Sequence, residues 1–403
     1  MTVIFICVLT LLLRNIYCEQ TLDLVLIDQS NNNQNSGCLD GSPAGYYIVM
    51  SNSSHNKPSN KWLIYHEGGG WCTSLDDCYA RSTTLLGSTV NRPQQIHSSS
   101  LTAEFSNDPN LNMLMHDWNK VLIIYCDGGS FTGNNITRYD DKDLYFRGKE
   151  NLKAVKNSLV SRGLSNATDI VISGCSAGGL AVYLHLDWWR DTIAAYDSSI
   201  RVTGLAIDGY FLDRNDVYGF YGISDYMRWI LIHMNSSTNS KCMQQNTLDE
   251  GKCMFPQYVS SYVTTPFFIY NSKFNYHTIL GTGTRVEEFG SLIASSINTS
   301  VNLINQTRGC FVDTCVHHCT RDTPYINGYN STYAFKLFYE KLYAQQSDHN
   351  NRNESLCPYC DVHIDGRVSV CLFCCGTDKV LLALIVCPTI LCFLCIMGVV
   401  IAI

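Results

Sequence analysis

Concentrated positive charge is what this sequence lacks most plainly. No block of lysines and arginines occurs in its 403 residues, and the net charge is −7. A chain without a basic stripe has no electrostatic footprint for a phosphate backbone, so nucleic acid is not expected as a partner. No internal repeat is present, which argues against solenoids and propellers. Charge is missing altogether beyond Lys379, and the apolar stretch 380–403 is long enough to cross a bilayer. It reads as a C-terminal hydrophobic anchor or a GPI-type signal, giving the chain a membrane partner through that end. Thr2 to Leu13 is an apolar run of signal-peptide length, too short to span a bilayer, so residues 1–18 read as a signal peptide cleaved near Cys18. Residues 19–37, with the polar run Ser30 to Asn35, read as a disordered N-terminal segment. The remainder, 38–375, has the length of one α/β domain with insertions.

Cysteine, by contrast, is abundant: there are 20. Behind a leader this count implies an oxidising compartment and disulfides. Cys72 and Cys78 are close enough to staple a loop, Cys242 and Cys253 to close a lid-like insertion, and Cys38 and Cys126 are further candidates. A zinc cluster built from Cys310, Cys315, His317, His318, Cys319 and the two C-x-x-C pairs is set aside because such thiols would be oxidised there, and no metal or cofactor is expected. Acceptors of the N-x-S/T type at Asn52, Asn135, Asn166, Asn235, Asn298, Asn305, Asn330 and Asn353 agree with a secretory, extracellular or cell-surface location.

The chain is organised around Gly174-Cys175-Ser176-Ala177-Gly178-Gly179. Before it, Asp169 to Ser173 is short, β-branched and bounded by polar residues, as a buried strand is. After it, Leu180 to Leu186 suits a helix. Strand, G-x-S-x-G and helix together form the nucleophile-elbow pattern, in which small neighbours let a sharp turn lift the serine hydroxyl clear of the sheet. Ser176 is then a nucleophile, with the Ala177 amide pointing where an oxyanion forms. Upstream, the strand Lys61 to His66 runs into Glu67-Gly68-Gly69-Gly70-Trp71-Cys72. A glycine run at a strand's end lets bare amides face a ligand, so Gly69 and Gly70 are assigned the other half of the oxyanion hole.

Further strands are expected at Tyr46 to Met50, Lys120 to Cys126, Arg201 to Asp208 and Pro266 to Tyr270, with helices at Leu144 to Ser161 and Tyr333 to Gln345. Strands alternating with helices argue for an α/β fold with a mostly parallel central sheet flanked by helices, with disulfide-stapled loops. Ligands in such folds bind at the carboxyl ends of strands, which makes Trp71, Asp127 and Ser130 candidates for the substrate rim. Asp208, also at a strand's end, suits either a helix cap or a catalytic acid. A serine hydroxyl needs a positioned base, and His317 and His318 follow late in the chain between cysteines that can clamp their loop.

Taken together, these stretches resemble the pectin acetylesterase/Notum family. The matching segments are Cys38 to Gly45, Glu67 to Cys72, Tyr125 to Gly128, Ser130 to Gly133, Leu144 to Gly148, Ser173 to Ala181, His318-Cys319 and Cys357-Pro358-Tyr359-Cys360. The Glu-Gly-Gly-Gly-Trp-Cys and Gly-Cys-Ser-Ala-Gly-Gly-Leu-Ala runs resemble the plant polysaccharide esterases more than the Notum branch. The resemblance implies an α/β-hydrolase-like fold and a Ser-Asp-His triad without metal, with Ser176 as nucleophile and His318 as base. The acid is where the sequence departs, because Asn275 stands at the family's Asp position. Three outcomes stay open: Asn275 suffices at reduced rate, another acid such as Asp208 or Asp313 serves, or the chain is a catalytically weak surface glycan binder. The leading expectation is a monomeric serine carboxylesterase that removes O-acetyl groups from an acetylated polysaccharide. The alternative within the family is a Notum-like deacylase of a lipid-modified protein.

Overall fold

The computed structural model describes residues 20–29, 35–51, 59–214, 222–275, 286–302, 307–321, 325–326 and 329–344. The expected leader (1–18), the hydrophobic segment 380–403 and the acceptors Asn52, Asn305 and Asn353 lie outside them. Among the described residues no helix is long and apolar enough to cross a membrane.

The frame is one nine-stranded sheet. Its strands are β1 (Thr21–Leu26), β2 (Gly45–Val49), β3 (Lys61–His66), β4 (Gln95–His97) and β5 (Asn119–Ile123), with β8 (Asp169–Cys175), β9 (Arg201–Ile207), β10 (Phe267–Ser272) and β11 (Arg308–Asp313). The spatial order is β11-β10-β9-β8-β3-β5-β2-β1-β4. The six strands from β11 to β5 run parallel, and β2, β1 and β4 are antiparallel additions at one edge. The β6–β7 hairpin (Asn135–Tyr139, Lys142–Phe146) lies apart from the sheet. All seven residues of β8 are buried. Its alternate side chains serve two cores: Ile170 and Ile172 pack with Trp62 and Ile64 on one face, Val171 and Cys175 with Leu63 and Tyr65 on the other. Burial on both faces is why the segment reads as an unbroken apolar run rather than an alternating one.

The four longest of the described helices lie on the two faces. The helices α1 (Gly148–Ser161), α2 (Ala177–Ala194) and α3 (Val286–Asn302) contribute Leu152, Val155, Leu180, Trp189, Phe289 and Ile293 to one core. On the other face α4 (Ser331–Ala344) contributes Phe335, Phe338 and Leu342. This layered architecture bears out the covered, mostly parallel sheet expected from the alternation of strands and helices, and it is consistent with the α/β-hydrolase-like fold that the resemblance implies.

Two expectations are corrected. The segment 19–37 is not disordered throughout, because Thr21–Leu26 forms β1 and joins β2 to β4, with Leu22 fully buried. Farther on, Asn151 of α1 holds Gly37 by its amide and carbonyl at 2.7 and 2.9 Å. The expected helix from Leu144 begins only at Gly148, because Lys142–Phe146 pairs with Asn135–Tyr139. The tight turn between them puts Asp140 at φ 50°, a conformation Asp tolerates better than most residues.

Disulfides join Cys38 to Cys126, Cys72 to Cys78 and Cys242 to Cys253, all six anticipated cysteines. Asn166, Asn235 and Asn298 are exposed, as glycan acceptors must be. Asn330 is not: it is buried, and its carboxamide oxygen accepts from Thr332 Oγ1 and the Tyr333 amide at the start of α4. Asn135 is half-buried, with Nδ2 donating to Thr137 Oγ1 and the His233 carbonyl.

Candidate active site

β8 ends at Cys175 and α2 begins at Ala177, so a single residue makes the turn. That residue, Ser176, sits at φ 60° and ψ −126°, outside the regions that L-residues favour. The Ser176 amide donates to the Ile207 carbonyl at 3.1 Å and so fastens the turn to β9. Two of the surrounding glycines are obligatory on steric grounds. A Cβ at Gly178 would lie 2.1 Å from the His66 carbonyl oxygen, and one at Gly174 would lie 2.3 Å from the Gly178 oxygen. Ala177 opens α2, so its amide is among the first-turn N–H groups with no partner inside the helix.

The glycine run follows β3 directly, beside β8 in the sheet. Gly69 and Gly70 take φ values of 145° and 64°. Their loop is held from three sides. Glu67 accepts two bonds from Arg92, each 2.8 Å, and one from the Tyr125 amide at 2.8 Å. Arg81 Nη2 donates to the Gly69 carbonyl at 3.0 Å, and the Tyr125 hydroxyl donates to the Gly70 carbonyl at 2.8 Å. Just beyond, Cys72 is locked to Cys78, and Trp71 meets Phe211 edge to face at 4.9 Å.

The late histidines reach this point through a fourth disulfide, Cys175–Cys319, which sequence reasoning missed. Its only sequence signal is symmetry: Cys175 directly precedes Ser176 and Cys319 directly follows His318. Asn275 Nδ2 donates to His318 Nδ1 at 2.7 Å. The segment bearing Asn275 is sewn to the histidine loop. Lys273 N donates to the Asp313 carbonyl at 2.8 Å, and Ser272 Oγ donates to the Cys315 carbonyl at 2.6 Å.

His317 has a different place. It lies between two carboxylates, with Nε2 2.9 Å from Asp313 Oδ2 and Nδ1 3.3 Å from Asp208 Oδ2. Burial alone would lower its pKa, but the two carboxylates outweigh burial and raise it to about 10. Asp208 also accepts the Ser272 amide at 2.9 Å and the Cys319 amide at 2.8 Å, and Asp313 accepts the Cys315 amide at 2.8 Å. Both candidate substitute acids therefore brace the loop around His317, whereas Asn275 meets His318. Asp208 caps none of the described helices; it binds the backbone at the end of β10 and in the histidine loop.

Ser176, His318, Gly69, Gly70 and Trp71 line one cavity of about 1000 Å³. Its walls combine aromatic and aliphatic surface from Tyr65, Phe105 and Phe211 with polar groups such as Thr73, Asp77 and Arg321. Asp127 and Ser130, expected at the rim, are fully buried behind it. Burial raises the Asp127 pKa to about 6, partly offset by the amides of Phe131, Gly129 and Gly133. A loop at the carboxyl end of a strand was the correct location, but its side chains turn inward.

A family model described as Pectinacetylesterase matches residues 18–284. Pectin acetylesterase 5 of Arabidopsis thaliana is 32% identical over 326 residues, 74% of this chain and 74% of that protein. Pectin acetylesterase 4 of the same plant is 34% identical over 262 residues, 64% of this chain and 61% of that protein. Palmitoleoyl-protein carboxylesterase NOTUM of Mus musculus is 28% identical over 301 residues, 70% of this chain and 58% of that protein. The matched family span holds Ser176 and Asn275 and ends before His318, which the disulfide to Cys175 returns to the same cavity.

Proposed function

The chain belongs to the pectinacetylesterase family, and on that premise we propose that it is a serine carboxylesterase removing O-acetyl groups from a polysaccharide. The observation that carries the reading is the meeting of Ser176 and His318 in one cavity, with their chain neighbours joined by the Cys175–Cys319 disulfide. Ser176 Oγ attacks the ester carbonyl while His318 takes its proton. The oxyanion is held by amides of Gly69, Gly70 and Ala177. Collapse expels the sugar hydroxyl, which takes the proton from His318. Water then attacks the acyl-serine while His318 takes its proton, and on collapse His318 returns that proton to Ser176 Oγ as acetic acid leaves.

Asn275 sets the speed of this cycle. An amide nitrogen donating to Nδ1 puts the ring proton on Nε2, the wrong tautomer for a base working through Nε2. The working tautomer needs Asn275 Oδ1 facing an Nδ1–H, which a half-turn of the amide supplies. An Asp offers acceptors whichever way it turns, and it also stabilises the imidazolium. The enzyme therefore runs below the rate of a full triad. Its disulfides and exposed glycan acceptors support a secretory-pathway location.

A second reading, deacylation of a longer acyl chain from a protein, is favoured by the size of the cavity and its Phe105 and Phe211 surfaces. One experiment tests both. The secreted protein and Ser176→Ala are assayed on p-nitrophenyl esters from acetyl upward and on acetylated pectin. Acetate release from pectin that is lost in Ser176→Ala supports the first reading. A steep preference for long acyl chains moves the assignment to the second. Equal activity in both proteins removes Ser176 as the nucleophile.

A further inference from the structure

We propose that Ser130 is a positioning residue for the oxyanion site, joining its two halves from behind. The inference rests on the esterase reading above and adds a residue to it. Ser130 is fully buried and contacts no solvent. Its hydroxyl accepts from Trp71 Nε1 at 2.8 Å and donates to the Ala177 carbonyl at 2.8 Å. Its amide donates to the Tyr125 hydroxyl at 3.0 Å, and that hydroxyl donates to the Gly70 carbonyl at 2.8 Å. Its carbonyl accepts from His185 Nε2 at 2.9 Å. One residue thus grips the glycine run through Trp71 and Gly70, and the elbow helix through Ala177.

The two halves come from different elements, the end of β3 and the start of α2. Catalysis by oriented amides depends on their mutual placement to a fraction of an ångström, set by the groups behind them. A hydroxyl is suited to this link because a single oxygen both accepts and donates. The backbone reflects the constraint. Ser130 and Phe131 take φ values of 52° and 61°, although Gly128 and Gly129 stand next to them. Asp127 pins the loop in that shape, with Oδ1 accepting the Phe131 amide at 3.2 Å. A residue held in an unfavourable conformation by so many bonds is over-determined by its surroundings.

The test uses Ser130→Gly, which suits the positive φ and removes only the hydroxymethyl group. Ser130→Ala, Trp71→Phe and the Ser130→Gly/Trp71→Phe pair accompany it. Turnover of p-nitrophenyl acetate and thermal midpoint are read for each. A positioning role predicts kcat down about tenfold or more in Ser130→Gly with KM within about twofold, short of the 10²–10³ for removing an oxyanion donor outright. It also predicts that the loss caused by Trp71→Phe is smaller on the Ser130→Gly background than in the wild type, because the part of it that runs through the indole–hydroxyl bond is already gone, while the cavity-wall part remains. Unchanged kcat in folded Ser130→Gly overturns the inference and leaves the esterase reading standing. So does a double variant whose losses multiply. Should Ser130→Gly not accumulate, the same criteria apply to Ser130→Ala. A wild type without esterase activity removes both inference and reading.

Discussion

Cys175 and Cys319 are bonded with their Cα atoms 5.8 Å apart, one residue before Ser176 and one residue after His318. The bond spans 144 residues of sequence, longer than any other disulfide among the described residues. It ties a rigid strand end to the loop that carries the His318 imidazole.

Removing that tie in a Cys175→Ala/Cys319→Ala variant is expected to cost about 2–5 kcal/mol of stability, since a long closed loop restricts the unfolded chain most. The urea midpoint measures this. Activity below the midpoint should also fall, because His318 loses its anchor to the elbow. A variant with wild-type kcat would show that the tie serves stability alone.

Asn275→Asp is expected to raise kcat. The reverse change in serine proteases costs about 10⁴, which sets the ceiling, and a gain of roughly tenfold or more is predicted. Steady-state turnover on an acetyl ester decides it. No gain, in a folded protein, would remove residue 275 from the triad.

The clamp on His317 makes a statement about pH. Its folded pKa of about 10 lies above the ordinary 6.5, so the protonated ring is what the fold favours. The stability it contributes is complete below about pH 6.5, declines as pH rises, and is gone above about pH 10. The thermal midpoint should fall across that window, and His317→Gln should flatten the fall. An equal decline in both proteins would assign it to other groups.

Two glycine substitutions separate crowding from backbone strain. Gly178→Ala forces a carbon to within 2.1 Å of a backbone oxygen and is expected to prevent folding. Gly70→Ala meets nothing within 4 Å and has only its φ of 64° to bear, so its loss should be about 1–2 kcal/mol. Soluble yield and denaturant midpoints compare them. Equal severity would contradict the geometry.

Much of the site is legible in the sequence. Gly174 to Gly178 between an apolar strand and a helix specified the elbow, because only small residues permit that turn. The run at Glu67–Cys72 was legible for the same reason. Leu144 to Phe146 was misread as helix because apolar residues there are compatible with both periods. Only the pairing with Asn135–Tyr139 makes them a strand. Ser130 was located correctly but given the wrong direction, since nothing local says which way a loop side chain turns.

By itself, the sequence determined the parallel α/β layering and the tight strand–Ser176–helix turn with its glycine setting, because these follow from local sterics and from apolar periodicity along contiguous stretches. The tertiary structure decided which of two adjacent histidines meets Asn275, which cysteine pairs with Cys175, and that Asp208 and Asp313 serve His317. Those are relations between segments more than forty residues apart, except for Asp313 and His317. They depend on how β8, β9, β10 and β11 stack side by side, and that register is a property of the assembled sheet.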